Sequence, residues 1–273
     1  MKRPIGFLDS GVGGLTVVKE AMRQLPNESI IYIGDNARCP YGPRPVAEIN
    51  EFTQELVDFL LEQNIKMLVI ACNTATAVSL ERIRERVNIP VIGVIHPGAR
   101  AANRYSENGH IGILATEATI NSHFYQNVLL DHNKHLTLYP LVCSKFVPLV
   151  ESGQYSSPIA KKIVAESLYD LKQTAIDTLI LGCTHYPLLA PLIQKFMGPE
   201  VRLVNSGAET VSDVSAILDL YNLAESSWNP EAATYQFYTT GGVALFKDIA
   251  KTWLQKDIPV SRIPLSQLEA KKE

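Results

Sequence analysis

The sequence predicts an α/β protein of two similar domains, each a mainly parallel sheet flanked by helices, the two related by a pseudo-two-fold axis. Two observations predict it. Short β-rich runs ending in Gly, Asp, Asn or Thr alternate with stretches of helical period, the pattern of parallel strands covered by helices on both faces. The chain also repeats itself. IGFLDS from Ile5 returns as IGILAT from Ile111, 106 residues on, and IKMLVIACNT from Ile65 returns as IDTLILGCTH from Ile176, 111 residues on. VIGVI from Val91 and VRLVN from Val201 are 110 residues apart. Three blocks in one order at a nearly fixed offset indicate an internal duplication.

Each element follows from its residues. IGFLD is a buried strand that closes at Asp9-Ser10 and feeds the glycine-rich GVGGLT, Gly11 to Thr16. IIYIGD is a second strand, followed by the Pro/Gly-rich loop ARCPYGPRP. In EINEFTQELVDFLLEQ, residues 48–63, Ile49, Phe52, Leu56, Phe59 and Leu60 share one helical stripe. The strand from Ile65 runs up to Cys72. HPGARAA then reads as a crossing between domains, with His96-Pro97-Gly98 as a turn signal. The second unit retraces the first as far as Asn205. From Ser206 come a helix (AETVSDVSAILDLY), a polar loop (SSWNPEAA), a strand (YQFYTT), a Gly-Gly turn and a helix (VALFKDIAKTWLQ). That tail is too short for a core of its own, so it is expected to pack on the first unit. The first domain is therefore 1–95 plus 206–273 and the second 96–205. The closing LEAKKE reads as a solvated terminus.

Composition limits what the protein can do. The 273 residues are 46% apolar and 19% charged, with a net charge of −3, which is ordinary for a globular protein. No Lys/Arg stripe offers a footprint for nucleic acid or an anionic membrane surface. The expected partner is a small molecule. No apolar run reaches the ~20 residues of a bilayer span, and MKRPIGFLDSG meets an Asp before a signal-peptide core forms, so a cytoplasmic protein is expected. The four cysteines, Cys39, Cys72, Cys143 and Cys183, include no Cys-x-x-Cys pair and make no disulfide framework.

Cys72 and Cys183 hold the same place in the two repeats, each directly after an apolar strand. Ligands of open parallel sheets bind beyond the carboxyl ends of the strands, so both thiols should face a cleft. Alone, a strand-end Cys is more often a small buried hydrophobe; the pairing argues otherwise. Asn73-Thr74 and Thr184-His185, which follow them, suit helix N-termini, where N–H groups favour anions and thiolates. Asp9-Ser10 and Ala115-Thr116 close the neighbouring strands. One repeat thus puts Asp9 near its thiol, and the other has Ala115 there but supplies His185. Glu151, after the apolar FVPLV, is either a solvated loop acid or the acid that orients His185. GVGGLT lacks the last Gly of a dinucleotide fingerprint, and Asp35 is a decoy for the ribose acid. The glycines are expected to let backbone approach an anionic ligand. Cys39 and Cys143, without duplicates, read as structural, Cys143 within a strand; Tyr41-Gly42 could wall the cleft.

Inversion at an α-carbon needs a base on each face of a planar carbanion, and a duplicated domain pair supplies one thiol from each side. Cys, with a reference pKa near ~8.5, can act as acid or base after modest tuning. IGFLDSGVGGLTV, GDNARCPYG, ACNTATA and LGCTHYPLL, in that order, resemble the glutamate racemases of the cofactor-independent aspartate/glutamate racemase superfamily over essentially the whole chain. The resemblance implies interconversion of L- and D-glutamate for peptidoglycan synthesis with neither cofactor nor metal. It implies Cys72 and Cys183 as the acid/base pair, Asp9 assisting the first, and His185 with Glu151 the second. It implies substrate contacts from Asp9, Ser10, Tyr41, Gly42, Asn73, Thr74, Thr116, Thr119, Thr184 and His185, and a homodimer. Racemisation of aspartate or a hydantoin is the nearest alternative, since one methylene gives only ~1–3 kcal/mol of discrimination. A non-catalytic amino-acid binder would leave both thiols unexplained, and a Cys-dependent hydrolase the second of them.

Overall fold

In the computed structural model, which describes residues 3–225 and 229–269, the chain winds twice through one pattern. The first pass comprises β1 (Ile5–Asp9), α1 (Leu15–Gln24), β2 (Ile30–Gly34), α2 (Val46–Glu62), β3 (Met67–Ile70), α3 (Asn73–Arg86) and β4 (Val91–Gly93). After α4 (Ile95–Tyr105) the second pass comprises β5 (His110–Ala115), α5 (Glu117–Asn121), α6 (Phe124–His132), β6 (Thr137–Val142), α7 (Phe146–Glu151), α8 (Pro158–Leu168), β7 (Thr178–Gly182), α9 (Ala190–Met197) and β8 (Arg202–Asn205). The chain then adds α10 (Ser206–Leu220), β9 (Tyr235–Thr239), α11 (Val243–Leu254), β10 (Val260–Arg262) and α12 (Leu265–Glu269).

The strands form two sheets, β10-β9-β2-β1-β3-β4 and β6-β5-β7-β8, and every pairing is parallel. The duplication reaches the register. Ile5 pairs with Met67, and its repeat Ile111 pairs with Thr178. At the next strand the copies slip: Leu68 faces Val91, whereas Leu179 faces Leu203. The slip of two residues keeps the side-chain parity, so the same faces stay buried. As expected, the tail joins the first sheet, with β9 alongside β2.

Parity also makes the layers. Ile5, Phe7, Ile30, Tyr32, Met67 and Val69 bury one face of the first sheet with residues of α1, α10 and α11, while Leu8, Ile31, Ile33, Leu68 and Ile70 bury the other with residues of α2 and α3. The predicted stripe of α2 is the one that is buried, with Phe52 half-buried at its edge. The first apolar cluster continues without a break into Phe146, Leu181, Tyr186 and Ile193 of the second sheet and its helices.

Several expectations change. His96-Pro97-Gly98 is no turn but the first turn of α4, where the missing proline N–H is an orphan donor anyway. A Cβ on Gly98 would sit 2.7 Å from Ser206 Cβ, so the glycine lets α4 and α10 meet. Cys143 falls just beyond β6. LEAKKE is not wholly solvated: Leu268, in α12, is fully buried among Leu56, Leu60 and Ile263, while 270–273 lie outside the described residues. The strand β10 had no sequence signal, being three residues long and mostly exposed. Of the polar loop, 226–228 lie outside the described residues.

Candidate active site

The two thiols stand at equivalent places, Cys72 two residues beyond β3 and Cys183 one residue beyond β7, and both are buried. Their local structures differ. Cys72 is the N-cap of α3, its sulfur accepting the Ala75 N–H at 3.4 Å. Behind Cys183 the chain makes only a 3-10 turn, Tyr186–Leu189, before α9. Pro191 explains this: it has no N–H to bond the Pro187 carbonyl, which takes the Ala190 N–H instead. The expected α-helical N-terminus is therefore present at Asn73-Thr74 and absent at Thr184-His185.

Around Cys72, burial and then the Asp9 charge push the thiol up to about 12, with the Ala75 N–H and the Ser10 hydroxyl, 3.6 Å away, opposing the shift. The charge of Cys183 adds to the rise, so the two sulfurs sense one another. Around Cys183, His185 Nδ1 lies 3.8 Å from Sγ, and its Nε2 lies 3.1 Å from Glu151 Oε1. Burial alone would hold the imidazole neutral. The hydrogen bonds to Cys183 and Glu151 outweigh it and raise His185 to about 10, so it carries a proton at neutral pH. Burial likewise pushes Glu151 up, and the His185 bond and charge, with the Cys39 thiol, overcome this and hold it below the usual carboxylate range.

Asp9 lies between the two halves. It is fully buried and accepts the Gly11 N–H at 3.0 Å and the Thr184 hydroxyl at 3.4 Å across the lobes. Burial raises its pKa against the pull of His185, the Gly14 and Gly11 N–H groups and Thr184. The glycine-rich loop thus receives the protein's own Asp9 carboxyl. Gly13 is required by the opposite lobe, because a Cβ there would come within 2.2 Å of Thr184 Oγ1 and 2.6 Å of the His185 ring.

The remaining residues converge unequally. Thr74 and Thr116 Oγ1 are 2.9 Å apart across the lobes, and Thr119 Oγ1 is 3.0 Å from Thr116. Asn73 accepts the Tyr125 hydroxyl at 2.7 Å, while its buried Nδ2 has no protein partner. Gly42 meets Thr116, to which its Cβ would come within 2.9 Å, and its carbonyl accepts the Ala118 N–H. A groove of about 580 Å³ opens here, lined by Gly42 and Pro43 of one lobe and Ala118 and Asn121 of the other. The Tyr41 phenol does not wall the cleft: it is buried and donates to Asp35 Oδ2 at 2.5 Å, leaving only its backbone for that role. Asp35, no ribose acid, also holds Arg38 at 2.7 Å and the Thr240 hydroxyl at 2.7 Å. The Cys39 sulfur lies 3.5 Å from Glu151 Oε1. Cys143 is structural, a buried thiol whose carbonyl accepts the Tyr186 hydroxyl. No group of three or more His, Cys, Asp or Glu among the described residues is arranged to hold a metal ion.

A two-lobed α/β fold with one buried thiol at the equivalent strand end of each repeat is the architecture of cofactor-independent racemases. The chain belongs to the Asp/Glu/hydantoin racemase family, whose family model matches residues 10–214. Among its relatives, the glutamate racemase of Carnobacterium sp. (strain St2) is 58% identical over 265 residues, 97% of this chain and 99% of that protein. A glutamate racemase isoform from Bacillus anthracis superposes with a TM-score of 0.93 at 45% identity, covering 97% of this chain and 99% of that one. Glutamate racemase from Francisella tularensis, solved in complex with D-glutamate, gives 0.89 at 35% identity, covering 97% and 98%.

Proposed function

We propose that the protein is a glutamate racemase that interconverts L- and D-glutamate by proton transfer at Cα between Cys72 and Cys183, supplying D-glutamate for peptidoglycan. One observation carries the reading: the duplication puts one buried thiol at the equivalent strand end of each lobe, and the two ends are joined by the hydrogen bond from Thr184, next to Cys183, to Asp9, whose charge acts on Cys72. One sulfur takes the Cα proton as thiolate while the other, as thiol, protonates the opposite face of the planar carbanion. The reverse direction exchanges the roles. The unlike neighbours distinguish the two thiols. Cys72, buried beside the Asp9 charge, is pushed up to about 12, and Cys183 faces an imidazole raised to about 10.

The polar groups of the cleft fit an amino acid with two carboxylates. Ser10, Thr74, Thr116, Thr119 and Thr184 offer hydroxyls, the Tyr41-Gly42 and Thr184-His185 segments offer backbone, and Asn73 Nδ2 is a buried donor awaiting an acceptor. Hydrogen bonds to an ionised acceptor are about twice as strong as neutral ones, so such donors can hold carboxylates without an arginine. Asp9, at the end of β1 beside the strand β3 that leads to Cys72, and His185, two residues after Cys183, are the positioning partners, with Glu151 behind His185. The name shared by relatives 55–58% identical favours glutamate over aspartate.

The lobe division, 1–95 plus 206–273 against 96–205, belongs to the same reading, as do a homodimer and a cytoplasmic site of action. Among the described residues no helix is long and apolar enough to cross a membrane. Enantiomers have equal free energy, so the optical rotation of an L-glutamate solution should decay to zero with no cofactor added. Rotation that persists for glutamate but decays for aspartate or a hydantoin would transfer the reading to that substrate.

A further inference from the structure

A third thiol enters the site from the lobe opposite Cys183. Cys39 follows Arg38, whose guanidinium is clamped by Asp35 at 2.7 Å and Glu55 at 2.5 Å and lies 4.0 Å over the Phe52 ring. That buried clamp fixes the loop. The sulfur then lies between Gly11, where a Cβ would come within 3.0 Å of it, and Glu151, whose Oε1 is 3.5 Å away. The same carboxylate oxygen receives His185 Nε2 at 3.1 Å, and His185 Nδ1 faces Cys183 Sγ at 3.8 Å. Four groups therefore run in line: Cys39, Glu151, His185, Cys183. Three belong to the second lobe and one to the first.

Glu151 needs such a partner. It ends the six-residue α7, its side chain is 34% exposed, and a turn with Gly153 at φ 73 follows. A glutamate so placed has three rotatable bonds to be fixed, and a second partner restricts them further. Burial, with the charges of Glu151 and Asp9, pushes the Cys39 thiol up, so it remains an S–H donor to the carboxylate.

We propose that Cys39 is a positioning residue for racemisation, fixing Glu151 from across the cleft so that His185 is aligned on Cys183 only when the two lobes are closed. The proposal rests on the racemase reading, and its consequence is a coupling of closure to the proton partner of one thiol but not of the other.

The test uses the full-length protein with L- and D-glutamate deuterated at Cα. Hydrogen bonds to charged groups contribute enough that Cys39→Ala should lower kcat/KM about tenfold. The fall must be equal in both directions, because the equilibrium constant between enantiomers is one. The asymmetry appears in the primary isotope effect on kcat/KM, which reports the step that removes the labelled atom. It should rise for the enantiomer deprotonated by Cys183 and fall for the other. Cys39→Ser, which keeps a donor, should restore most of the rate. Unchanged kcat/KM in Cys39→Ala, isotope effects that move together or not at all, or Cys39→Ser as impaired as Cys39→Ala would each overturn the proposal while leaving racemisation intact. A parent protein that releases no label from either enantiomer would overturn the racemase reading itself, and the proposal with it.

Discussion

Cys72 and Cys183 carry the same atoms in unlike surroundings. The first is held protonated by burial and the Asp9 charge, and the second is paired with a protonated imidazole. Replacing either by Ser substitutes a hydroxyl that is neither a comparable acid nor a comparable base. Cys72→Ser and Cys183→Ser should each lower racemisation by roughly 10²–10⁴-fold while glutamate still binds, measured by polarimetry beside calorimetric titration. Full activity in either variant would remove that thiol from the reaction. His185 gives a second test. Its folded pKa, about 10, lies above the reference 6.5, so its stabilising contribution is complete below 6.5 and is lost as pH rises through 10. The difference in melting temperature between the parent and His185→Gln should therefore be largest near pH 6 and shrink toward pH 10. A gap that widens with pH would contradict the imidazolium. At this scale the repeat made Cys72, Cys183, Asp9 and His185 legible in the sequence. The Tyr41 phenol was not, because its partner Asp35 is set by the buried clamp around Arg38 and not by spacing. Cys39 was missed because it has no duplicate, and its contact, Glu151, lies 112 residues away.

At the scale of elements, strand ends and the turns after them place Asp9, Cys72, Thr116, Cys183 and His185, while Glu151 comes from the end of α7. The turn between β1 and α1 brings Gly13 against Thr184 and His185, and Thr16 Oγ1 donates to the Thr184 carbonyl at 2.9 Å. A methyl at Gly13 cannot be accommodated without moving the second lobe's strand end, and a displacement near 1 Å in an active site can cost about 10²-fold. Gly13→Ala should lose activity on that order while its circular dichroism stays that of the parent; activity within twofold would mean the lobes adjust freely. The sequence marked these glycines as sites of close approach, and Gly13 lies against the second lobe's Thr184 and His185. Short elements were the least legible. Charged LEAKKE hides the single buried anchor Leu268, and His96-Pro97-Gly98 has turn composition although proline and glycine are both admissible in the first turn of α4.

At the scale of the molecule, duplication sets the geometry. The order β2-β1-β3-β4 recurs as β6-β5-β7-β8, and the pairing of Ile5 with Met67 recurs as Ile111 with Thr178. This was legible because offsets of 106 and 111 residues preserve that register. The closure of the lobes was not, since it depends on hydrogen bonds between residues far apart in sequence, Thr74 with Thr116, Asp9 with Thr184 and Gly42 with Ala118. Two lobes that meet with a thiol at the equivalent strand end of each lead to one central claim, that the Cα proton leaves to one lobe and returns from the other through a thiol that has exchanged with water. The direct measurement is nuclear magnetic resonance of glutamate incubated with the protein in deuterium oxide and no added cofactor. The account predicts deuterium at Cα in both the L and D forms; glutamate that keeps its protium at Cα with intact protein would contradict it.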